Sequence, residues 1–135
     1  MIPRLRSDGT LPPGAHQVSL ADVLIAFPAR NQQRQMLNDA LTRVVEQLWQ
    51  LDFTLTILVD GSYVTGKAEP NDIDLLIITR RYNELSLRRY LEHACPVEAV
   101  SVHLYVEPRM PSALLDFFTT TRIGTPKGII ALTRV

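Results

Sequence analysis

Two acidic residues at the head of an apolar run are the part of this sequence best suited to chemistry. Asp72 and Asp74 stand two positions apart, and Ile73, Leu75 and Ile77 alternate with them. Because successive side chains of a β-strand point to opposite faces, both acids emerge on one face while the apolar residues pack on the other. Two carboxylates on one face can hold a divalent cation, and Mg²⁺ keeps coordination positions free for water and phosphate.

Gly61 and Ser62 supply the other half of a candidate phosphate site. They follow an apolar stretch and open a predicted short helical turn over residues 62–66, where backbone amides and a hydroxyl can bind a terminal phosphate. Lys67 is close to this turn in sequence and Lys127 precedes the last predicted strand, so both are predicted to neutralise the rest of a triphosphate. The two acids and the turn would then bind the same nucleotide, the acids through its metal and the turn through its terminal phosphate.

The segment 61–67 also matches most of the P-loop pattern of glycine, four residues, glycine and lysine. A P-loop requires Ser or Thr after the lysine to hold Mg²⁺, and a long helix beginning there. This chain has Ala68 and then Pro70, followed by a predicted strand. The sequence therefore disfavours a P-loop.

Length and composition restrict the class of protein. With 135 residues, of which 46% are hydrophobic, the chain suits one compact domain. We expect an extended N-terminal arm over residues 1–18 and a single domain over residues 19–135. Lys plus Arg and Asp plus Glu are both 14, so no net charge attracts nucleic acid or anionic membrane. The lone Cys95 and the lack of a long apolar run predict a cytoplasmic protein with no membrane partner.

Hydrophobic periodicity predicts the order of the secondary structure elements. The fold class is α/β (α+β), with a mixed β-sheet of about four strands flanked by helices. After a short helix from Ser19 that Pro28 stops, we expect helices near 31–51, 83–94 and 112–118, and strands at 54–59, 72–79, 97–106 and, at a sheet edge, 128–132.

Gly61-Ser62, followed about ten residues later by Asp72-Ile73-Asp74, resembles the pattern of the nucleotidyltransferase superfamily with the DNA polymerase β-like palm. The chain also resembles a family of small stand-alone bacterial proteins described as nucleotidyltransferase-like. That resemblance spans most of the chain and is carried by residues 60–65 and 70–74, together with residues 11–14 upstream. The resemblance implies a minimal nucleotidyltransferase fold, with Mg²⁺ or Mn²⁺ on Asp72 and Asp74. It also implies a nucleoside triphosphate as substrate.

Members of this superfamily usually carry a third carboxylate on the neighbouring strand, and here the sequence departs from the pattern. The expected position, flanked by Val102 and Leu104, is occupied by His103. A neutral histidine can accept a proton or ligate a transition metal, but it does not supply the missing negative charge. The expected function is metal-dependent transfer of a nucleoside monophosphate to a protein or RNA acceptor. Asp72, Asp74 and His103 are the predicted catalytic residues.

A second interpretation is a nucleotide-binding or partner-binding module that keeps the fold without efficient chemistry, with His103 marking the loss. Some small proteins of the superfamily are paired with a separate toxin or antitoxin, so the resemblance includes a role as a toxin-antitoxin component. An exposed sheet edge or the proline-rich arm also suits a homodimer. Sequence reasoning leaves these alternatives open.

Overall fold

A computed structural model describes residues 2–109 and 127–134 of the chain. In chain order the elements are β1 (Gly14–Ser19), α1 (Leu20–Ala26), α2 (Gln32–Leu51), β2 (Thr56–Asp60), a 3₁₀ turn (Ser62–Val64), β3 (Ile73–Ile78), α3 (Glu84–Ala94), α4 (Pro96–Ala99), β4 (Val102–Glu107) and β5 (Gly128–Thr133). The protein is therefore a mixed α+β structure, as the sequence predicts.

Five strands form one mixed sheet in the order β1-β5-β2-β3-β4. The pairs β1–β5 and β3–β4 are parallel, and β2 is antiparallel to both β3 and β5. The prediction of about four strands was wrong, because residues 14–19 pair with β5 along their whole length. Residues 14–18, which the sequence places in an extended arm, are thus part of an outer strand. For the same reason β5 is an interior strand of the sheet, and its predicted edge position was wrong.

The main core lies on one face of the sheet, where the helices pack. Ile57 and Val59 of β2 and Leu75 and Ile77 of β3 point into it. The predicted stripe of α2 supplies the facing side, with Leu37, Leu41, Val44 and Leu48 all buried. The acids of β3 therefore lie on the opposite face of the sheet, as the alternation predicts.

The chain between α3 and β4 differs from the predicted strand 97–106. Its first part is the short helix α4, which begins at Pro96, a residue whose fixed φ suits the first turn of a helix. The strand begins only at Val102. The predicted helix 112–118 lies outside the described residues.

Candidate active site

Three neighbouring strands bring the candidate residues to one edge of the sheet. Asp60 at the end of β2 pairs with Asp74 near the start of β3, and Asp74 pairs with His103 near the start of β4. Paired residues of adjacent strands point to the same face, so these three side chains form a row. Asp72 immediately precedes β3 and joins the row at its end. The antiparallel order of β2 and β3 is what places the 61–62 turn beside the acids.

Asp72, Asp74 and His103 form the compact centre of the site. One ligand atom from each lies within 4.8 Å of the others. His103 Nε2 lies 3.3 Å from Asp72 Oδ2, and His103 Nδ1 lies 3.6 Å from Asp74 Oδ1. The His103 side chain is 59% exposed, whereas those of Asp72 and Asp74 are 35% and 26% exposed. The centre is thus open to a solute from the histidine side.

The carboxylate of Asp74 is in an environment that penalises its negative charge. Burial raises its pKa above the usual range, and the nearby charge of Asp72 raises it further. His103 and Lys127 act in the opposite direction. A divalent cation between the two acids would remove the repulsion between them, so the electrostatics of the site favour a bound cation.

Gly61 fits the site because of its backbone and because it lacks a side chain. Its φ of 83° and ψ of −172° lie in a region that is essentially restricted to glycine. A Cβ atom added there would lie 2.9 Å from Asp74 Oδ2. The turn can therefore approach the carboxylate only with glycine at this position.

Ser62 opens the 3₁₀ turn, in agreement with the predicted short helical turn. Its side chain is half-buried, and its hydroxyl makes no hydrogen bond to the other described residues. After Val64 the chain forms a loop up to Asn71, with no long helix in this segment. The helix that a P-loop requires is absent there, which agrees with the sequence argument against that motif.

Arg34 braces the turn from the side of the helices. It is 5% exposed, and its guanidinium donates to the carbonyl oxygens of Tyr63, Thr65 and Lys67 at 2.7–2.8 Å. The same group lies over the rings of Phe27 and Tyr63, 5.6 and 5.2 Å from their centroids. Burial lowers the pKa of Arg34 from its ordinary value. Sequence reasoning missed this residue, although Arg34 continues the buried stripe of α2 one turn before Leu37.

Asp60 and Lys127 form a buried ion pair beside the row. Lys127 Nζ donates to Asp60 Oδ1 at 2.8 Å, and the two side chains are only 15% and 4% exposed. Burial raises the pKa of Asp60, and the hydrogen bond from Lys127 opposes that rise. The pair ties β2 to the start of β5. The role of Lys127 in nucleotide binding stays a prediction.

Lys67, the other predicted phosphate ligand, is exposed in the loop that Arg34 holds. It lines a cavity next to the start of α2, together with Arg30 and Arg34. None of Asp72, Asp74 and His103, the candidate metal ligands, lines this cavity. The structure therefore places Lys67 and Lys127 in two different surroundings.

Residues 3–133 match the family described as a family of unknown function, DUF6932. The chain belongs to the DUF6932 family. All residues of the candidate site fall within the matched range. No curated protein and no solved structure matches the chain. None of the helices in the described parts of the chain is long and apolar enough to cross a membrane.

Proposed function

We propose that this member of the DUF6932 family is a metal-dependent nucleotidyltransferase with a minimal nucleotidyltransferase fold. One observation supports it above all: two carboxylates and an imidazole converge within 4.8 Å beside a glycine turn. Asp74 lies so close to that turn that a Cβ atom at position 61 would come within 2.9 Å of its Oδ2. A cation and a phosphate chain held at these two points would lie next to each other, as nucleotidyl transfer requires.

Asp72 and Asp74 would hold the metal, and their oxygens suit Mg²⁺ or Mn²⁺. His103 is close enough to both acids to add a nitrogen ligand, which Mn²⁺ accepts more readily than Mg²⁺. The donor set fits a divalent cation, since all three groups reach one another without other residues between them. When bound, the metal would neutralise phosphate charge and make the α-phosphorus more electrophilic.

The protein residues would position the substrate and the acceptor. The amides of the turn and the half-buried Ser62 hydroxyl would bind the β or γ phosphate. The acceptor is a hydroxyl of a protein or an RNA, which would approach from the exposed side of His103. If His103 is not a metal ligand, its imidazole is the group placed to accept the proton of that hydroxyl.

The alternative is a nucleotide-binding or partner-binding module of the same fold, including a toxin-antitoxin component or a homodimer. His103 favours the module, because it stands where the superfamily has a third carboxylate. A site with two anionic ligands in place of three leaves more of the triphosphate charge uncompensated. The two proposals differ in a single respect, which is whether a covalent bond to an acceptor forms.

The test is incubation of the purified protein with α-labelled ATP, GTP, CTP or UTP, Mg²⁺ or Mn²⁺, and a cell extract as the source of acceptors. We expect a labelled protein or RNA with the wild type and none with Asp72→Asn or Asp74→Asn. Asp39→Asn, which removes an exposed acid of α2, is the matched control and should keep full activity. Nucleotide binding without label under both metals would support the module instead.

Two variants of the histidine separate its roles. His103→Asp restores an anionic ligand, so the affinity for Mg²⁺, measured by calorimetry, should rise relative to that for Mn²⁺. His103→Ala should weaken Mn²⁺ binding if the imidazole is a ligand. If Mn²⁺ binding is unchanged and only the rate falls, His103 acts as the proton acceptor.

A further inference from the structure

A cavity on the other side of the loop 63–67 is distinct from the candidate active site. Its volume is about 190 Å³, and it lies between the N-terminal segment, the junction of α1 with α2, and the loop. Asp72, Asp74, His103, Gly61 and Ser62 are not among its lining residues. Whatever binds there is therefore a separate ligand or a separate part of one.

The charge of this cavity is positive. Arg30, Arg34 and Lys67 line it, and no acidic residue does so among the described residues. None of the three forms a salt bridge with a carboxylate in residues 2–109 and 127–134. Arg34 is buried and is paired with carbonyl oxygens and ring faces, which satisfy its donors but leave its charge unbalanced. Arg30 is near enough to repel it.

Apolar residues form much of the remaining wall, among them Leu5, Phe27 and Pro28, and the polar residues Asn31 and Thr65 complete it. A ligand that matches both parts carries a strongly anionic group on an apolar body. A phosphoryl group fits the cationic part better than a carboxylate, because it carries more charge and has three oxygens for guanidinium and ammonium donors.

We infer that this cavity binds an organic phosphate, with Arg30 and Lys67 contacting the phosphoryl group and the apolar wall contacting the body of the ligand. Arg34 holds the loop that carries Lys67, and its buried guanidinium adds positive charge to the cavity. The site requires neither the metal nor the carboxylates, so it is independent of the nucleotidyl transfer proposed above.

The test is calorimetric titration of the full-length protein with AMP and, separately, with pyrophosphate. EDTA is present and the ionic strength is about 150 mM, so that weak surface binding is screened. We expect saturable binding to one site, and a loss of affinity of about tenfold or more in Arg30→Gln/Lys67→Gln, because both direct contacts are removed. Both residues are exposed, so the double variant should fold, and a circular dichroism melt verifies this.

Two controls make the result specific. Arg88→Gln/Arg89→Gln removes the same charge from the exposed face of α3 and should leave the affinity unchanged. Asp72→Asn/Asp74→Asn should also keep the binding, which separates this cavity from the metal cluster. Tighter binding of AMP than of pyrophosphate supports an organic phosphate, because the apolar wall then contributes to the affinity. Equal or weaker binding of AMP would overturn that assignment and indicate a free phosphate. The inference is overturned if neither probe saturates, or if Arg30→Gln/Lys67→Gln and Arg88→Gln/Arg89→Gln have the same affinity. It is also overturned if Asp72→Asn/Asp74→Asn removes the binding.

Discussion

Replacing Gly61 with Ala probes the contact between the turn and Asp74, one of the proposed metal ligands. Gly61 has φ of 83° and ψ of −172°, and an alanine there costs about 1–3 kcal/mol in backbone strain. The new Cβ would lie 2.9 Å from Asp74 Oδ2 and 3.2 Å from Asp74 Cγ. Overpacking of this kind adds roughly 1–3 kcal/mol. The Asp74 carboxylate would have to move to relieve this contact, so metal affinity should fall as well.

Gly14→Ala is the matched control for this substitution. Gly14 also has a positive φ, of 116°, but a Cβ added there has no atom within 4 Å. Backbone strain therefore destabilises both variants, and the contact with Asp74 further destabilises Gly61→Ala alone. Urea denaturation should show Gly61→Ala to be the less stable by roughly 1–3 kcal/mol. Calorimetry with Mn²⁺ should show weaker binding for Gly61→Ala alone.

A double-variant cycle with Asp74→Ala tests whether the contact is the cause. In the Asp74→Ala background the carboxylate is gone, so Gly61→Ala should cost only the backbone strain, close to the cost of Gly14→Ala. Equal stability of Gly61→Ala and Gly14→Ala, together with unchanged Mn²⁺ affinity, would refute the proposed fit of the turn against the acid.

Three further substitutions can be tested by urea or thermal denaturation, two at the supports of the site and one at the C-terminal end of α2. Arg34→Met leaves three carbonyl oxygens without their donor and should lower the free energy of unfolding by about 3 kcal/mol or more. Arg43→Met, at an exposed position of the same helix, is the control and should change it by less than about 0.5 kcal/mol. Equal losses in the two variants would contradict the role of Arg34 in holding the loop. Lys127→Met leaves Asp60 buried without its cation and should lower the free energy of unfolding by about 3–5 kcal/mol. Lys127→Met/Asp60→Asn should recover much of that loss, and no recovery would mean that the ion pair is not the cause. The pKa of Asp52 is lowered by hydrogen bonds from Thr54 and by Arg81, so its contribution to stability is present at neutral pH and is lost as pH falls through its folded-state pKa. Asp52→Asn should therefore have a lower melting temperature than wild type at pH 7, and the difference should shrink as the pH falls into the acidic range; a constant difference would contradict the assignment.

The elements that carry the acids could be predicted because their signals are local. The alternation of Asp72 and Asp74 with apolar residues gives both the strand β3 and the face on which the acids lie. His103 was singled out by the resemblance, because it occupies the position at which the superfamily carries a third carboxylate, and the strand that holds it begins later than predicted. For the two acids the information lies within a few neighbouring residues.

Features that depend on distant pairing were missed. Residues 14–19 contain few strand-forming residues and follow two prolines, and they become a strand only by pairing with β5, which is more than 100 residues away. Nothing near Asp60 in sequence shows that Lys127 will be its partner. The three carbonyl oxygens around Arg34 come from residues 29, 31 and 33 positions further along the chain, so no neighbouring residue indicates that contact.

The balance of charge at the edge of the sheet bears on the choice between an inert fold and a cation-binding site. Asp60 has its own buried partner in Lys127, so its charge is locally compensated. Asp72 and Asp74 lie beside an exposed imidazole, and burial and the charge of Asp72 raise the pKa of Asp74 more than His103 and Lys127 lower it. Two neighbouring acids, one of them partly buried against a glycine turn, therefore repel each other unless a cation lies between them. The same arrangement is useful when a divalent cation binds, because the cation turns the repulsion into a shared set of ligands, and this is why the geometry favours a site that works with metal.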